Sequence, residues 1–381
     1  VFLFSEAFSY DNIKKDKKTI INSIESQKDR LIEISDNIWE AAEPALLEFK
    51  SSKYLSDYAE ENGFRVTRGV AEIPTAFVAE FGSGKPVIGI LGEFDANPGI
   101  SQKKQPTKEP LVKGAAGHGC GHNLYGTGSL GAAIAIKEMI ESGEISGTVR
   151  FYGTPAEETI FAKVWMVRAG LFDDVDVCMD WHPSDEVEAA TQSSKALVDF
   201  RLRFFGDASH ASGDPWNGNS AVDAMELYTT GLNYYREHVR PTARIHYDIE
   251  KAGDVVNVVP DFAQIWTRLR ENDKENVNIL YERAKKIAEA ASMMANVDYE
   301  MELISGIYEI IPNRFGAGII QKNIESLGEI KYTEDEINYA NTILKETGKE
   351  LKGIDSKIRP IRPTLPAQGG STDVGDVSQV V

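Results

Sequence analysis

Cysteine and histidine are scarce in this sequence, which has two cysteines and six histidines among 381 residues. Two thiols are too few for a disulfide framework, and the sequence therefore predicts a protein of a reducing compartment, the cytoplasm. Long apolar runs are also lacking, since no stretch approaches the roughly 20 residues that span a bilayer. The sequence thus predicts that the protein does not use a membrane as a partner.

Positive charge is the minority sign. The chain carries 41 lysines and arginines against 59 aspartates and glutamates, and its formal net charge is −18. An acidic surface repels phosphate backbones and anionic lipids, which argues against nucleic acid as a partner. The length is sufficient for two domains with substantial cores.

Four of the six histidines lie in short clusters with other residues that commonly bind metals. The clusters are His118-Gly-Cys120-Gly-His122, Pro155-Ala-Glu157-Glu158, Asp180-Trp-His182 and Asp207-Ala-Ser-His210. Thiolate, imidazole and carboxylate together suit a transition metal such as zinc or manganese. Adjacent glutamates can offer one carboxylate to a metal and the other to a proton. This combination favours metal-assisted hydrolysis.

Residues of the metal-binding type follow three predicted buried strands. Apolar runs at 86–91, 149–152 and 175–179 read as strands, and the Gly/Ala-rich segment 127–143 reads as a buried helix. Alternating strands and helices predict an α/β sheet. Ligands bind beyond the carboxyl edge of such a sheet, which is where residues following the strands would lie.

A different pattern occupies residues 195–308. Strands and helices are predicted there in the order β-α-β-β-α-β, which is the split βαβ arrangement. The sequence therefore predicts a catalytic α/β sheet domain, residues 13–194 and 309–381, with a smaller inserted α+β domain. Helices at 314–328 and 333–348 are expected in the returning segment.

Each motif also has a less interesting interpretation. Adjacent glutamates are usually a solvated pair, and a histidine at a strand end is often structural. His118 is the weakest ligand candidate, because three potential ligands within five residues cannot all face one ion. His210 falls in the predicted inserted domain and cannot simply be counted as a ligand.

One glycine motif suggests a rival class of protein. Gly126-Thr-Gly128-Ser-Leu-Gly131 matches the dinucleotide-binding fingerprint. No buried strand precedes it, as that fingerprint requires, and its glycines more simply allow a helix to pack closely. An oxidoreductase is therefore disfavoured.

The motifs together resemble those of the metal-dependent amidohydrolase and exopeptidase family of aminoacylases and auxin-conjugate hydrolases. The resemblance starts near residue 20 and runs to the end of the chain. It rests on Gly92-Glu-Phe-Asp95, Gly117-His-Gly-Cys-Gly-His-Asn123, Pro155-Ala-Glu-Glu158, Trp181-His182-Pro183, Ser209-His210-Ala-Ser-Gly-Asp-Pro215, Asp254-Val-Val-Asn257-Val-Val-Pro260 and Gly370-Ser-Thr-Asp-Val-Gly-Asp376.

The resemblance implies a site for two divalent ions, Zn²⁺ or Mn²⁺. It assigns four metal ligands, which are Cys120, His122, Glu158 and His182. It makes Glu157 the general base that activates water and Asp95 the carboxylate that orients a ligand.

The resemblance also implies roles outside the metal ligands. His210 is expected to reach across a dimer to the partner's active site, and Asn257 to contact substrate near it. The implied activity is hydrolysis of the amide bond of N-acyl amino acids, aminobenzoyl-glutamate-like compounds included. A homodimer is expected, with a different second subunit as an alternative.

The end of the chain keeps another alternative open. Members of the family take a further histidine ligand from beyond the segment 370–376, and no histidine follows His246 in this sequence. The C-terminal part of the catalytic domain is therefore expected to be truncated. The alternative function is a catalytically dead binding or regulatory relative with an incomplete metal site.

Overall fold

The computed structural model describes residues 10–364, 366–367 and 369–381, with side chains from residue 17 onward. Contacts group the chain into two compact units. The first holds the described part of Val1–Ala189 with Ile319–Pro360 and Val380–Val381, and the second holds Ala190–Gly318 and Ile361–Gln379. The predicted domain boundaries at 195 and 308 stay a prediction, since these contacts place 309–318 and 361–379 with the second unit.

The first unit contains a five-stranded mixed sheet in the order β1-β2-β4-β3-β5. Its strands are β1 (Arg65–Arg68), β2 (Phe77–Ser83), β3 (Val87–Glu93), β4 (Gly147–Thr154) and β5 (Val177–Met179). Strands β3, β4 and β5 run parallel, with Ile90 opposite both Phe151 and Met179. Strand β2 pairs antiparallel with β4, and β1 pairs antiparallel with β2. The carboxyl ends of the three parallel strands therefore meet at one edge.

Four α-helices within residues 10–189 belong to the same unit, and its core contains buried residues of the helices and of the sheet. They are α1 (Tyr10–Ala41), α2 (Phe49–Glu61), α3 (His122–Glu141) and α4 (Ala162–Arg168). Buried Ile38, Leu55, Ile134 and Phe151 belong to one apolar cluster. Apolar burial of this kind is the main favourable term in folding.

The glycine motif lies inside α3 and not in a turn between a strand and a helix. A Cβ on Gly126 would lie 2.5 Å from the carbonyl oxygen of Glu93, so only glycine allows the helix to approach β3 this closely. A Cβ on Gly128 would lie 3.0 Å from the ring of Trp181. The predicted packing role of these glycines is confirmed.

The second unit has a four-stranded antiparallel sheet in the order β7-β8-β6-β9. Its elements are β6 (Ala196–Phe205), α5 (Ala221–Tyr235), β7 (Arg244–Ala252), β8 (Phe262–Glu271), α6 (Lys274–Ala295) and β9 (Asp298–Ile307). Alternate side chains of β6, such as Phe200 and Phe204, are buried in one cluster with residues of α5 and α6. Ser220 and Asp273 cap the two helices by accepting backbone N–H groups. The predicted fold class is thereby confirmed.

Three further helices complete the described chain, namely α7 (Arg314–Leu327), α8 (Glu334–Glu346) and α9 (Val374–Ser378). The helices predicted near 314–328 and 333–348 are thus present. A reciprocal pair of hydrogen bonds between Thr333 and Glu336 starts α8. Among the described residues, every helix is too short or too polar to cross a membrane.

Candidate metal centre

The metal-type residues of the first unit gather at the carboxyl edge of its three parallel strands. Asp95 follows β3, Glu157 follows β4 and His182 follows β5, while His122 begins α3. Ligand atoms of Cys120, His122 and His182 lie within 4.8 Å of one another. The parallel register thus brings together residues that are far apart in sequence.

A second group of potential ligands shares His122. It consists of Glu93, His122 and Glu157, whose ligand atoms also lie within 4.8 Å of one another. Since an imidazole nitrogen has a single lone pair, the two groups overlap at one ligand position, His122. This second group contains Glu157 where the sequence analysis assigned Glu158, and it adds Glu93.

The His122 ring is buried between two carboxylates, with 1% of its surface exposed. Its Nδ1 lies 2.9 Å from Asp95 Oδ1, and its Nε2 lies 2.9 Å from Glu93 Oε2. Burial by itself lowers the pKa of this imidazolium, but Asp95 and Glu93 raise it to about 11. Without a metal, the ring is therefore protonated, and its positive charge offsets the negative charge of the neighbouring carboxylates.

Asp95 connects two parts of the site. One oxygen binds the His122 ring, and the other accepts the backbone N–H of Glu158 at 2.9 Å. Both contacts are buried, since Asp95 is 1% exposed. A carboxylate that fixes the orientation of an imidazole is the usual companion of a histidine ligand.

Cys120 and His182 approach His122 from the outer side. Desolvation of the thiol, followed by the neighbouring Glu158, raises the pKa of Cys120 to about 12, although the residue as a whole is exposed. The sulfur is thus a thiol at neutral pH, and a bound cation would displace its proton. His182 Nδ1 donates to the carbonyl of Pro183 at 2.8 Å, so Nε2 is the ring nitrogen that could bind a metal.

An unpartnered oxygen of Glu158 is a further indication that the site fits a divalent metal. Glu158 Oε1 is buried and has no hydrogen-bond partner among the residues that the structure describes. It lies 3.8 Å from His122 Nε2, at the junction of the two groups. A cation there would satisfy a carboxylate oxygen that is otherwise costly to bury. The donors are sulfur, nitrogen and oxygen, a set that zinc and manganese accept.

Sequence reasoning missed the buried ion pair of Glu93 and Lys163. Lys163 Nζ lies 2.5 Å from Glu93 Oε1, and Lys163 is fully buried. Burial alone raises the pKa of Glu93, but Lys163 and His122 lower it to about 2. The available signal was Glu-Phe-Asp95 after a buried strand, whose two acidic residues alternate along extended backbone.

His118 lies in neither of the two groups found among the described residues. Its Nε2 is 3.1 Å from the carbonyl oxygen of Ile38, to which it donates. Burial lowers the pKa of His118 to about 4, so the ring is neutral. These contacts agree with its ranking as the weakest ligand candidate.

The second unit brings His210 and Asn257 together. The N–H of Ala211 donates to the carbonyl of Asn257 at 3.0 Å, which joins their two loops. The N–H groups of Ser212 and Gly213 donate to His210 Nδ1 at 3.2 and 3.0 Å. Since Nδ1 accepts, the ring proton lies on Nε2, and the exposed ring can serve as a donor.

Sequence comparison places the chain among known hydrolases. Residues 89–339 match peptidase family M20/M25/M40. The chain is 37% identical to the B subunit of p-aminobenzoyl-glutamate hydrolase from Escherichia coli (strain K12), over 94% of this chain and 80% of that protein. The motif likeness noted from the sequence extends to this relative and is confirmed.

Solved structures support the fold. An aminobenzoyl-glutamate utilization protein from Klebsiella pneumoniae aligns with a TM-score of 0.65 and 16% identity, over 94% of this chain and 89% of that one. A dinuclear metal-binding peptidase of family M20 from Bacillus subtilis aligns with a TM-score of 0.55 and 19% identity, over 93% and 86%. With the match of the family over most of the length, these findings show that the chain belongs to peptidase family M20/M25/M40 and is a metal-dependent amidohydrolase.

Proposed function

We propose that this protein hydrolyses the amide bond of N-acyl amino acids of the aminobenzoyl-glutamate type. The observation that carries the proposal is the buried His122, held by Asp95 and Glu93, with Cys120 and His182 close to it. The substrate class is supported by 37% identity to an enzyme named for p-aminobenzoyl-glutamate. Family membership favours this activity over the alternative of a catalytically dead binding relative.

The proposed cofactors are two divalent ions, Zn²⁺ or Mn²⁺. The proposed ligands are Cys120, His122, Glu158 and His182, and support for them comes from the ligand group formed by Cys120, His122 and His182. The related Bacillus subtilis protein is described as a dinuclear metal-binding peptidase. Bound divalent ions supply Lewis acidity, which polarises a carbonyl and lowers the pKa of water.

Glu157 is the proposed general base. It accepts a proton from the attacking water as the new carbon–oxygen bond forms. It then delivers that proton to the amine nitrogen as the carbon–nitrogen bond breaks, which releases an acid and an amino acid. Glu157 suits this role because its carboxylate lies near His122 and is only partly buried, so water can reach it.

His210 is the proposed donor to the carbonyl oxygen as negative charge develops there. The backbone N–H groups at Nδ1 favour the tautomer that has a proton on Nε2. Asn257, whose loop is bonded to that of His210, is the proposed substrate contact. We further propose that a homodimer supplies His210 to the partner's site, with a second, different subunit as the alternative.

The direct experiment is a screen of N-acyl amino acids with protein reconstituted in Zn²⁺ or Mn²⁺. We expect release of the free amino acid from aminobenzoyl-glutamate and faster turnover than with acetyl analogues. Metal stoichiometry is measured on the same samples. Protein that binds metal and hydrolyses none of the substrates would instead support the binding relative.

A further inference from the structure

Glu48 is a buried acidic residue in the loop before α2, and its side chain points into the protein and away from solvent. It is 0% exposed. Its Oε2 accepts the hydroxyl of Thr75 at 3.0 Å, and its Oε1 accepts the backbone N–H of Ala156 at 2.9 Å. Ala156 immediately precedes the proposed general base. A glutamate is rarely buried this completely unless its carboxyl group has partners inside the protein.

The backbone that receives this hydrogen bond has an unusual conformation. Ala156 has φ 60, in the left-handed region where an alanine Cβ crowds the following carbonyl oxygen. Phe161 has φ 63, and its N–H donates to the carbonyl of Ala156 at 2.9 Å, which closes the turn. Non-glycine residues in this region persist only where their surroundings hold them, and they concentrate at functional sites.

Two buried carboxylates thus hold the turn on either side of Glu157. Glu48 accepts the N–H of Ala156, and Asp95 accepts the N–H of Glu158 at 2.9 Å. We infer that Glu48 is a positioning residue, which fixes the left-handed Ala156 and thereby aims Glu157 at its proton-transfer position. This inference rests on the proposed function for the role of Glu157.

A purely structural role in the loop is the main competing explanation. Glu43 belongs to the same loop and offers a matched control. Its carboxylate accepts the N–H groups of Lys50 and Ser51 at the start of α2 and does not contact the turn. Loss of Glu43 should therefore disturb the loop and leave Glu157 in place.

The experiment compares Glu48→Gln with Glu48→Leu in the full-length, metal-loaded chain. Glutamine keeps an oxygen for Ala156 N–H and an amide for Thr75, whereas leucine has a similar volume and neither group. We expect Glu48→Gln to retain kcat within about threefold, and Glu48→Leu to lose about 10–100-fold in kcat with KM within about threefold. Glu43→Ala should keep the wild-type kcat.

One further measurement does not depend on activity, and another compares metal binding with activity. The Ala156 amide should exchange with solvent at least about tenfold faster in Glu48→Leu than in Glu48→Gln, because it loses its acceptor. The metal Kd should change less than kcat does, since Asp95 still holds the backbone of Glu158. If Glu48→Leu does not fold, Thr75→Val removes one anchor of the carboxylate and should lower kcat about threefold or more.

Equal kcat in the glutamine and leucine variants, or equal losses in Glu48→Leu and Glu43→Ala, would overturn the inference. An unchanged Thr75→Val enzyme would do the same where Glu48→Leu fails to fold. Unaltered exchange of the Ala156 amide would show that Glu48 does not hold the turn. A wild-type protein that binds metal but is inactive toward every acyl amino acid would defeat the proposed function separately, while the exchange result still decides whether Glu48 anchors Ala156.

Discussion

Two of the candidate histidines of the proposed reaction, His122 and His210, are held by opposite means. His122 is buried in the first unit, and carboxylates bind both of its nitrogens. His210 is exposed in the second unit, and backbone N–H groups bind its Nδ1. Acidic neighbours favour a positive charge at the position of the ring, whereas backbone N–H donors at one ring nitrogen leave the proton on the other nitrogen, which can then donate. The proposed roles follow this difference, with His122 as a metal ligand in one unit and His210 as a donor to an oxyanion in the other.

The largest effect is expected at the glutamate pair beside His122. Glu157→Gln should lower kcat by about 10²–10⁴-fold, because the amide cannot accept the proton of water. Its metal content should stay that of the wild type. Glu158→Gln should instead weaken metal binding, since it removes a ligand charge. Kinetics and metal analysis on both variants test the assignment, and a reversal of the two outcomes would exchange the roles of the glutamates.

The next effect concerns His210. His210→Ala should lower kcat by about 10²–10³-fold through loss of a transition-state donor, with metal content unchanged. Measurement of kcat and bound metal on the same preparation separates this histidine from His122. A parallel loss of metal would contradict the comparison between the two residues.

Subunit exchange tests whether His210 acts in a dimer. Mixing inactive His210→Ala protein with inactive Glu157→Gln protein creates heterodimers. If His210 serves the partner's site, one site of each heterodimer carries both lesions and the other carries neither, so activity should return. Activity that stays at background after proven exchange would show that His210 acts within its own chain or has no catalytic role.

A smaller effect is expected from the carboxylate that orients His122. Asp95→Asn should weaken metal binding by about 10–100-fold. The His122 ring loses its charged partner, and the backbone N–H of Glu158 loses its carboxylate acceptor. Asp176→Asn is the matched control, since Asp176 accepts the N–H of Val87 at the opposite end of β3. Metal titrations should separate the two variants, and equal affinities would show that orientation by Asp95 contributes little.

The sequence predicted much of this arrangement because apolar runs and strand order have local signatures. The runs near 86–91 and 149–152 proved to be strands, and their parallel pairing explains why Asp95 and Glu157 share an edge. Strand β1 was not predicted, since Arg65-Val-Thr-Arg68 is short, polar and on the sheet edge.

The buried ion pair could not have been read from the sequence. Lys163 and Glu93 are separated by 70 residues, and only the fold brings them together. Sequence patterns assign lysine to the surface, where it usually lies. Glu48 shows the same difficulty, because its contacts come from Thr75 and Ala156, two residues with no local signature for a partner.

Removal of the charge of Glu48 by Glu48→Gln should have the smallest effect on activity. Its effect on stability should be measurable. Burial raises the pKa of its carboxyl from 4.5 to about 7, so the folded protein binds this proton more tightly than the unfolded chain does. Its contribution to stability is fully present below pH 4.5 and is lost as the pH rises to about 7. Glutamine does not titrate and avoids this loss.

Glu48→Gln should therefore gain stability over the wild type between pH 4.5 and about 7, to a plateau on the order of 3 kcal/mol. Denaturant unfolding of the metal-free protein at pH 4.5, 6 and 8 measures the difference between the two proteins. A constant difference across the three pH values would show that the Glu48 carboxyl titrates normally. In that case Glu48, which binds the turn beside Glu157, and Glu43, which binds the start of α2, would differ only in their hydrogen bonds.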